Sequence, residues 1–550
     1  MDMTRFAATI LAALGLAGSA PGGHVYHVTK QPAAHRTQRA QPAIASVFVA
    51  GHGWGHGIGL AQYGAYGYAL HGWTYDKIVA HYYPGTDLGK SNLSRVRVLL
   101  APSAKRAVIS SQSQFVVRDG KGKKHKLGAG IQALGPGMKV RLAVGKKLKA
   151  LPGPLMFSAG SSPLSLGGRA YRGALRVKRV GSRLQVVNVV GLEPYLWGVV
   201  PSEMPQRWPA EALAAQAVVA RTYALSHLHK GDFDLYNDTR SQVYGGIAAE
   251  APSATDAVNE TAGDVVLYDG ELADTFFFSS SGGKTANVQD VWPTSPPEPY
   301  LVSVPDPYDT LSPYHDWGPL KYSAKTLAKR LHVPGGRVSD FRASVTSSGR
   351  VRSVIFIGTN GAERTATGAA VRTALGLRST WFHLGLLSLS NPAGNVIYGS
   401  SGNLSGVARG VTRVTLESRT YGGTWKRGAR LTVRDGAVAV TVRPKVTTDY
   451  RLESGGFRSA TARVSVAPLV QLAAGADGVS VSGTVRPVFA GANVQIQRLD
   501  SGGWTTVTET TVGSNGSYSA TVDLVAGSYR ARVTVGHGFA IGLSDTLVVQ

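Results

Sequence analysis

The 550-residue chain has no cysteine. No disulfide framework staples it, so its stability must come from buried apolar side chains. That absence excludes neither an exported nor an internal location. Acids are scarce. Against 58 Lys and Arg stand 33 Asp and Glu, a formal net charge of +25 at pH 7. From Arg95 to Arg183 the single acid is Asp119. Such a field attracts anionic polymers. Nucleic acid is not the expected one: the bases are spread along strand-like runs, with no aromatic stacking motif and no recognition helix. A generic solvated surface is the plainer alternative. Long apolar runs are also missing. The one candidate follows Arg5, from Phe6 to Ala17, with small residues through Ala20. It reads as a signal peptide over residues 1–20, too short to remain as a stable span; an uncleaved short anchor is the alternative.

The length suits three or four domains. Residues 21–45 read as a Pro/Gln/His/Arg-rich disordered linker. Residues 46–90 hold a Gly-His box and a helix-like stretch, Tyr75 to Tyr83, ended by Pro84-Gly85. Residues 91–190 carry short β-like runs such as Arg95–Leu100 and Gln114–Arg118, and 124–160 reads as an insertion or small β subdomain. Residues 191–390 carry helices and further strands. The fold class is α+β, helices grouped on mainly antiparallel sheet. After Asn391-Pro392, Val, Thr, Gly and Ser dominate. Arg419, Trp425, Tyr450 and Arg451 recur at Arg498, Trp504, Tyr529 and Arg530, each 79 residues on. Residues 391–467 and 468–550 therefore read as two β-sandwich repeats of immunoglobulin-like architecture. Trp425 and Trp504 are expected in the sandwich cores, with sugar stacking as the alternative.

The sharpest chemical feature is Glu203, between Pro201 and Pro205 in an apolar turn with Val200, Met204 and Trp197. A carboxylate there is poorly solvated, which raises its pKa towards that of a general acid. A capping or ion-paired glutamate is the bland alternative. Pro209 then suits a first helical position, and Glu211 its first turn. The apolar run that follows predicts an almost fully buried helix carrying Gln216 and Arg221, which need partners. Arg221 could serve the substrate or the acid, or pair within the core.

A second motif is Gly51-His52-Gly53-Trp54-Gly55-His56-Gly57-Ile58-Gly59-Leu60-Ala61-Gln62-Tyr63-Gly64-Ala65. Its glycines permit positive φ and close approach of a ligand. Trp54 offers an apolar face, His56 and Gln62 hydrogen bonds, the mixture a polymeric sugar needs. His52 and His56 invite a metal reading, but the glycines break any helix that would align them and no third ligand is evident. The structural alternative is a tight glycine turn with His56 in a fixed hydrogen bond.

Four ordered segments carry a family resemblance: Gly198 to Tyr223; Asp234-Leu235-Tyr236-Asn237-Asp238-Thr239-Arg240-Ser241-Gln242-Val243-Tyr244-Gly245-Gly246; Thr275 to Thr285 followed by Val291-Trp292; and Leu375-Gly376-Leu377-Arg378-Ser379-Thr380-Trp381-Phe382. Over about residues 165 to 390 the chain resembles the SpoIID/LytB family of cell-wall proteins. The resemblance implies a SpoIID-like domain over 46–390. It implies either a lytic transglycosylase of peptidoglycan, with Glu203 as catalytic acid and base, or a non-catalytic enhancer of an N-acetylmuramoyl-L-alanine amidase. It makes Ser202, Gln216, Arg221, Tyr223, Asp238, Gln242 and Tyr244 binding or supporting residues. Ser279, Ser281, Gly282, Gly283 and Thr285 join them, as do Trp54, His56 and Gln62 from the box. Relatives carry that box after the domain; here it precedes it, so it is expected to fold back beside Glu203. Some members have a lysine where this chain has Ala214. Some hold zinc with Cys and His where this chain has Tyr236, Arg240 and Ser281, so no metal and no cofactor are expected. The expected partners are peptidoglycan glycan strands, with anionic wall polymers and a wall amidase as further ones and no nucleic acid. The expected location is the extracellular cell wall.

Overall fold

The computed structural model describes residues 26–27, 45–91, 95–411 and 413–550. The expected signal peptide lies outside the described residues, as does most of the expected linker. Within that linker stretch, Tyr26–His27 forms a short strand paired antiparallel with Val548–Val549. The chain divides into two compact units, Phe48–Leu384 and one that includes Gly385–Gln550.

The first unit is mixed helix and sheet. Its largest sheet has seven strands, in the order Leu235–Tyr236, Arg95–Ala104, Arg183–Gly191, Ala174–Val180, Leu155–Ser158, Phe115–Arg118 and Lys124–Leu127. All neighbours are antiparallel except Leu235–Tyr236, which runs parallel to Arg95–Ala104. Leu175 and Val177 alternate with more exposed residues, as a one-sided strand requires. The lone acid of the basic stretch, Asp119, does not meet an arginine. It accepts from His125 at 2.9 Å and from the N–H groups of Lys121 and Lys123.

Five helices position the site: α1 (Gln62–Leu70), α2 (Tyr75–Tyr82), α3 (Leu192–Glu203), α4 (Ala210–Ser226) and α5 (Pro252–Glu260). The apolar segment around Glu203 is thus not a turn. It is a helix with Pro201 inside it and Glu203 as its last residue. Pro201 cannot donate to the preceding turn, but Ser202 Oγ bonds the Gly198 carbonyl at 2.8 Å and the chain leaves the helix three residues after the proline. Pro209 is the cap of α4 rather than its first residue. As expected, α4 is buried nearly throughout, every residue from Ala212 to Thr222 included. Its small alanines let α1, α2, α3 and α5 approach closely.

Arg221 is fully buried. Its guanidinium binds Glu193 of α3 bidentately, Nε to Oε1 at 2.9 Å and Nη2 to Oε2 at 2.6 Å. It also donates to the carbonyls of Val258 in α5 and of Asp264, both at 3.1 Å. Arg221 therefore pairs within the core, its guanidinium spent on Glu193 and two carbonyls.

In the second unit the strands that carry the recurring residues pair antiparallel in both stretches, with the register shifted by one residue: Ser418 faces Tyr450, whereas Arg498 faces Tyr529. Val414–Thr420 pairs with Thr448–Ser454, and Asn493–Asp500 pairs with Gly527–Thr534. In the second repeat, Val470, Val481 and Tyr518 from one sheet and Val494, Ile496, Tyr529 and Val533 from another share one apolar cluster. Trp425 and Trp504 are not in such a core. Each is half-buried on a sheet surface beneath an arginine, Arg451 at 3.8 Å from one ring centre and Arg530 at 4.2 Å from the other. They follow glycine turns at strand starts, where the side chain lies along the sheet and the cation covers it.

Removing one partner of a buried ion pair leaves the other uncompensated, at a cost of about 3 kcal/mol. Arg221→Ala is expected to lower unfolding free energy by about that much in urea titration. Arg221→Met with Glu193→Gln should recover part of the loss. A single variant as stable as the parent would show that the pair does not hold α3 to α4.

Candidate active site

Glu203 is held at the end of α3. Its Oε1 accepts from the Val243 N–H at 3.0 Å. Among the described residues no hydrogen bond is made to Oε2. Burial raises the carboxyl above the ordinary glutamate range, and the Val243 N–H, which favours the anion, opposes it more weakly. The poor solvation read from the sequence is therefore present, at the end of a helix rather than in a turn.

Burial pushes the Tyr195 and Tyr223 phenols up, with smaller contributions from Tyr244 and Asp274 respectively and from the Glu203 carboxyl. Tyr195 donates to Gln242 Oε1 at 3.0 Å, and Gln242 Nε2 donates to the Ala220 carbonyl at 3.0 Å. The Gln242 amide is thereby fixed beside Val243, the residue that donates to Glu203. Tyr223 is half-buried. It stacks on His227 at 4.1 Å and meets Phe276 and Phe277 edge-on at 6.0 and 6.1 Å. His227 Nε2 lies 3.8 Å from Asp274, whose side chain is 45% exposed. Glu203, Tyr223, His227 and Asp274 thus form one titratable neighbourhood. The sequence reading missed His227 and Asp274. The i, i+4 spacing of Tyr223 and His227 on a helix was the available signal.

The box does fold onto this unit. Leu60–Ala61 pairs in parallel with Phe277–Phe278, and the Tyr63 N–H donates to the Ser279 carbonyl at 3.0 Å. Gln62 donates to Gln216 of α4 at 3.4 Å, and Trp208 stacks on Tyr66 at 4.7 Å. His56 itself stands behind the Phe276–Phe278 strand. Its Nε2 donates to the Phe277 carbonyl, and its Nδ1 accepts from the Ile58 N–H, both at 3.0 Å. Burial lowers its pKa to about 4, so the imidazole is neutral and acts as a brace. His52 turns elsewhere, to Asp316 at 2.6 Å.

The Ser-Gly-Gly segment has an internal task. Ser281 and Gly282 donate backbone N–H groups to Asp309, and Ser280 adds its hydroxyl, at 2.8–2.9 Å. Ser281 Oγ accepts from the Gly283 N–H at 3.0 Å. Asp306, also fully buried, is pushed up to about 7 by desolvation and by Asp309. A Cβ at Gly64 of α1 would collide with the Asp306 carboxyl and the Tyr82 hydroxyl, so only glycine fits there. Sequence reasoning missed both acids. The segment Pro305-Asp306-Pro307-Tyr308-Asp309 places them close together in an acid-poor chain.

The expected site residues therefore divide. Glu203 is partly buried at the end of α3, Tyr223 is half-buried on α4, and Trp54 is 41% exposed at the box. Gln62, Gln216, Gln242, Tyr244, Ser281 and Thr285 are buried. Tyr244 donates to Asn188 at 3.0 Å, and Thr285 accepts from the Val304 N–H at 2.8 Å, so these shape the site without lining it. Ser202 is engaged with its own helix. Asp238 lies in a turn, bound at 2.7 Å by Arg240, which lowers its pKa to about 2. Arg240 lies over the Tyr236 ring at 3.9 Å. A cation at that point does not fit a zinc site. Among the described residues no three His, Cys, Asp or Glu are arranged to hold a metal.

Because burial raises Glu203, the folded chain keeps that proton where the unfolded chain has released it. The group favours the fold below the ordinary glutamate range and opposes it as pH rises through the raised value. Glu203→Gln keeps the shape and cannot ionise. Its melting temperature is expected to exceed that of the parent at about pH 8, with the gap closing by about pH 4. A gap independent of pH in paired thermal melts would contradict a desolvated Glu203.

Residues 180–268 match the family model described as Stage II sporulation protein, SpoIID. Over 144 residues the chain is 38% identical to an uncharacterized protein of Brachyspira hyodysenteriae, covering 26% of this chain and 39% of that protein. Over 114 residues it is 40% identical to the amidase enhancer of Bacillus subtilis, covering 21% and 15% respectively. Over 218 residues it is 31% identical to the stage II sporulation protein D of Bacillus subtilis, covering 36% and 61%. The chain thus spans less than two thirds of the length of each. The matched stretch contains α3 with Glu203, α4 with Arg221 and the Gln242–Val243 segment. The chain carries a domain of the SpoIID/LytB family.

Proposed function

We propose that this chain is a lytic transglycosylase acting on peptidoglycan glycan strands, with Glu203 as its one acid and base. The observation that carries the reading is the desolvated Glu203 carboxyl, fixed through Oε1 by Val243 and free at Oε2. Protonated Glu203 would give its proton to the bridging oxygen after N-acetylmuramic acid as the glycosidic bond breaks. The resulting carboxylate would take the proton of that sugar's C6 hydroxyl, whose oxygen closes onto C1 as a 1,6-anhydro ring. The proton count balances without water and without a second carboxylate nucleophile. Arg221, Gln242 and Tyr195 position the acid.

A second reading is a non-catalytic peptidoglycan-binding enhancer of a wall amidase. It is favoured by the name of the Bacillus subtilis relative and by Ala214, which is 3% exposed and leaves no charged helper in α4 at that position. Under either reading, residues 1–20 are a signal peptide and the protein works in the extracellular wall. Residues 46–390 are its SpoIID-like domain. Residues 391–467 and 468–550 are two immunoglobulin-like sandwiches, a view supported by the two sheets that share one apolar cluster in the second repeat. The base-rich stretch from Arg95 to Arg183 suits contact with anionic wall polymers.

Glu203→Gln is expected to lower cleavage of purified strands by about 10⁴-fold, since one group serves both proton transfers. Mass spectrometry reads the products: anhydro ends are lighter by one water than hydrolytic ends. Undiminished anhydro product in the variant would remove Glu203 from the mechanism. No cleavage by either protein, with stimulation of an added amidase, would select the enhancer reading. Removal of the residues after 392 is expected to leave a cooperative melt and to weaken co-sedimentation with isolated walls; loss of the melt would mean the repeats belong to the domain core.

A further inference from the structure

The tip of the Gly-His box is pinned at every residue yet presents a large aromatic side chain to solvent. Trp54 exchanges backbone hydrogen bonds with Ser280, at 2.8 and 3.0 Å. The Gly53 N–H donates to the His315 carbonyl and the Gly55 N–H to the Arg378 carbonyl, at 3.0 and 3.1 Å. Trp317 Nε1 holds the Gly53 carbonyl at 2.9 Å. Gly53 and Gly55 have φ of +69° and +127°, a backbone that side chains rarely adopt. A Cβ at Gly53 would also collide with the Ser280 and Ser281 carbonyls. A loop fixed this firmly has no need of an exposed indole for its own packing, yet Trp54 keeps 41% of its surface open.

Two neighbours give the indole a chemical context. Tyr314 meets it at 4.6 Å and 86°, an edge-to-face contact that covers at most one side of the indole. The Arg378 guanidinium lies 3.9 Å from the Tyr314 ring centre and 5.2 Å from that of Trp54. A guanidinium stacked by its face keeps its in-plane N–H donors free, in the fork that fits a carboxylate. Arg97, Arg172, Arg221 and Arg240 each reach a carboxylate of this chain. Arg378 makes no ion pair among the described residues. The acids near it are engaged: Asp316 with His52, and Asp309 with Ser280, Ser281, Gly282 and His315.

We propose that Trp54 and Arg378 form a subsite for an acidic sugar, the indole taking one face of a pyranose ring and the guanidinium its carboxylate. The inference rests on the glycan reading and deepens it, by placing recognition of the sugar's charge on Arg378 beside the box rather than at Glu203. Two sources supply a carboxylate on such a polymer: the lactyl group of muramic acid and the stem peptide. The subsite chemistry is common to both.

The test uses the full chain carrying Glu203→Gln, so that strands are not consumed. Calorimetry measures binding of three tetrasaccharides of alternating N-acetylglucosamine and N-acetylmuramic acid: stem-free, stem-free with the carboxyls reduced to alcohols, and stem-bearing. With Arg378 present, reduction is expected to weaken binding about ten- to a hundredfold. Adding Arg378→Gln should abolish that difference and leave the reduced strand within about twofold of its former affinity. Adding Trp54→Ala should weaken intact and reduced strands alike. If reduction has no effect but Arg378→Gln weakens the stem-bearing strand, the carboxylate recognised is that of the peptide, and the subsite stands. Equal affinity for intact and reduced strands, with no effect of Arg378→Gln on the stem-bearing one, overturns the inference and leaves the glycan reading in place. The comparison of intact with reduced strand needs no substitution at Arg378, so a misfolded variant does not blunt it. No binding of any strand overturns the glycan reading, and this inference with it.

Discussion

Inside the first unit, one guanidinium ties three helices together. Arg221 sits on α4 with no solvent contact, grips Glu193 at the start of α3 with two parallel bonds, and caps the Val258 carbonyl near the end of α5. A buried arginine is tolerable only where its donors are satisfied. Here that requirement fixes α3 against α4, and the far end of α3 is where Glu203 stands. The alanine-rich surface of α4 makes the arrangement possible, since close helix approach needs small side chains around the one long one. Arg221 thus bears on Glu203 through the placement of α3, without touching it.

Desolvation is the recurring instrument around that frame. It raises Glu203, lowers His56, and raises both Asp306 and Asp309. These groups do different work. Among the described residues, Glu203 keeps one oxygen free of protein donors. His56 is consumed by Phe277 and Ile58, and Asp309 by the Ser-Gly-Gly loop. Perturbed ionisation is therefore common in this unit and does not by itself mark a reacting group. What separates Glu203 is a shifted carboxyl combined with an open oxygen. His56 instead braces the Phe277 carbonyl and Asp309 the Ser280–Gly282 loop, and both of these segments bond to the box, which brings Gln62 to Gln216 of α4.

Much of this was legible in the chain. The apolar run through Ala212–Leu225 announced a buried helix, and its two long polar residues announced a need for partners. The Val, Thr and Gly-rich composition and the 79-residue offset announced β repeats. Other features were not. The segment ending at Glu203 contains two prolines and reads as a turn, yet apolar packing on α4 and α5 makes it a helix and moves the proline into its last turn. Trp425 and Trp504 read as core because they are large and apolar. Arginines two strands over in the same sheet cover them at the surface instead, a contact that depends on strand order and register.

Residue chemistry and spacing along the chain are local quantities, so the sequence by itself determined the helix-forming runs, the strand-rich C-terminal region, the desolvated setting of Glu203 and the conformational freedom of the box. It also carried the resemblance to SpoIID proteins. The tertiary structure alone decided which polar groups stay open and which are consumed by internal hydrogen bonds. Arg221 finds Glu193 28 residues away, Gln62 finds Gln216 across 154, and His56 finds the Phe277 carbonyl across 221. A hydrogen bond requires its two atoms within about 3 Å, and partners at such separations meet only after the helices and sheets have packed.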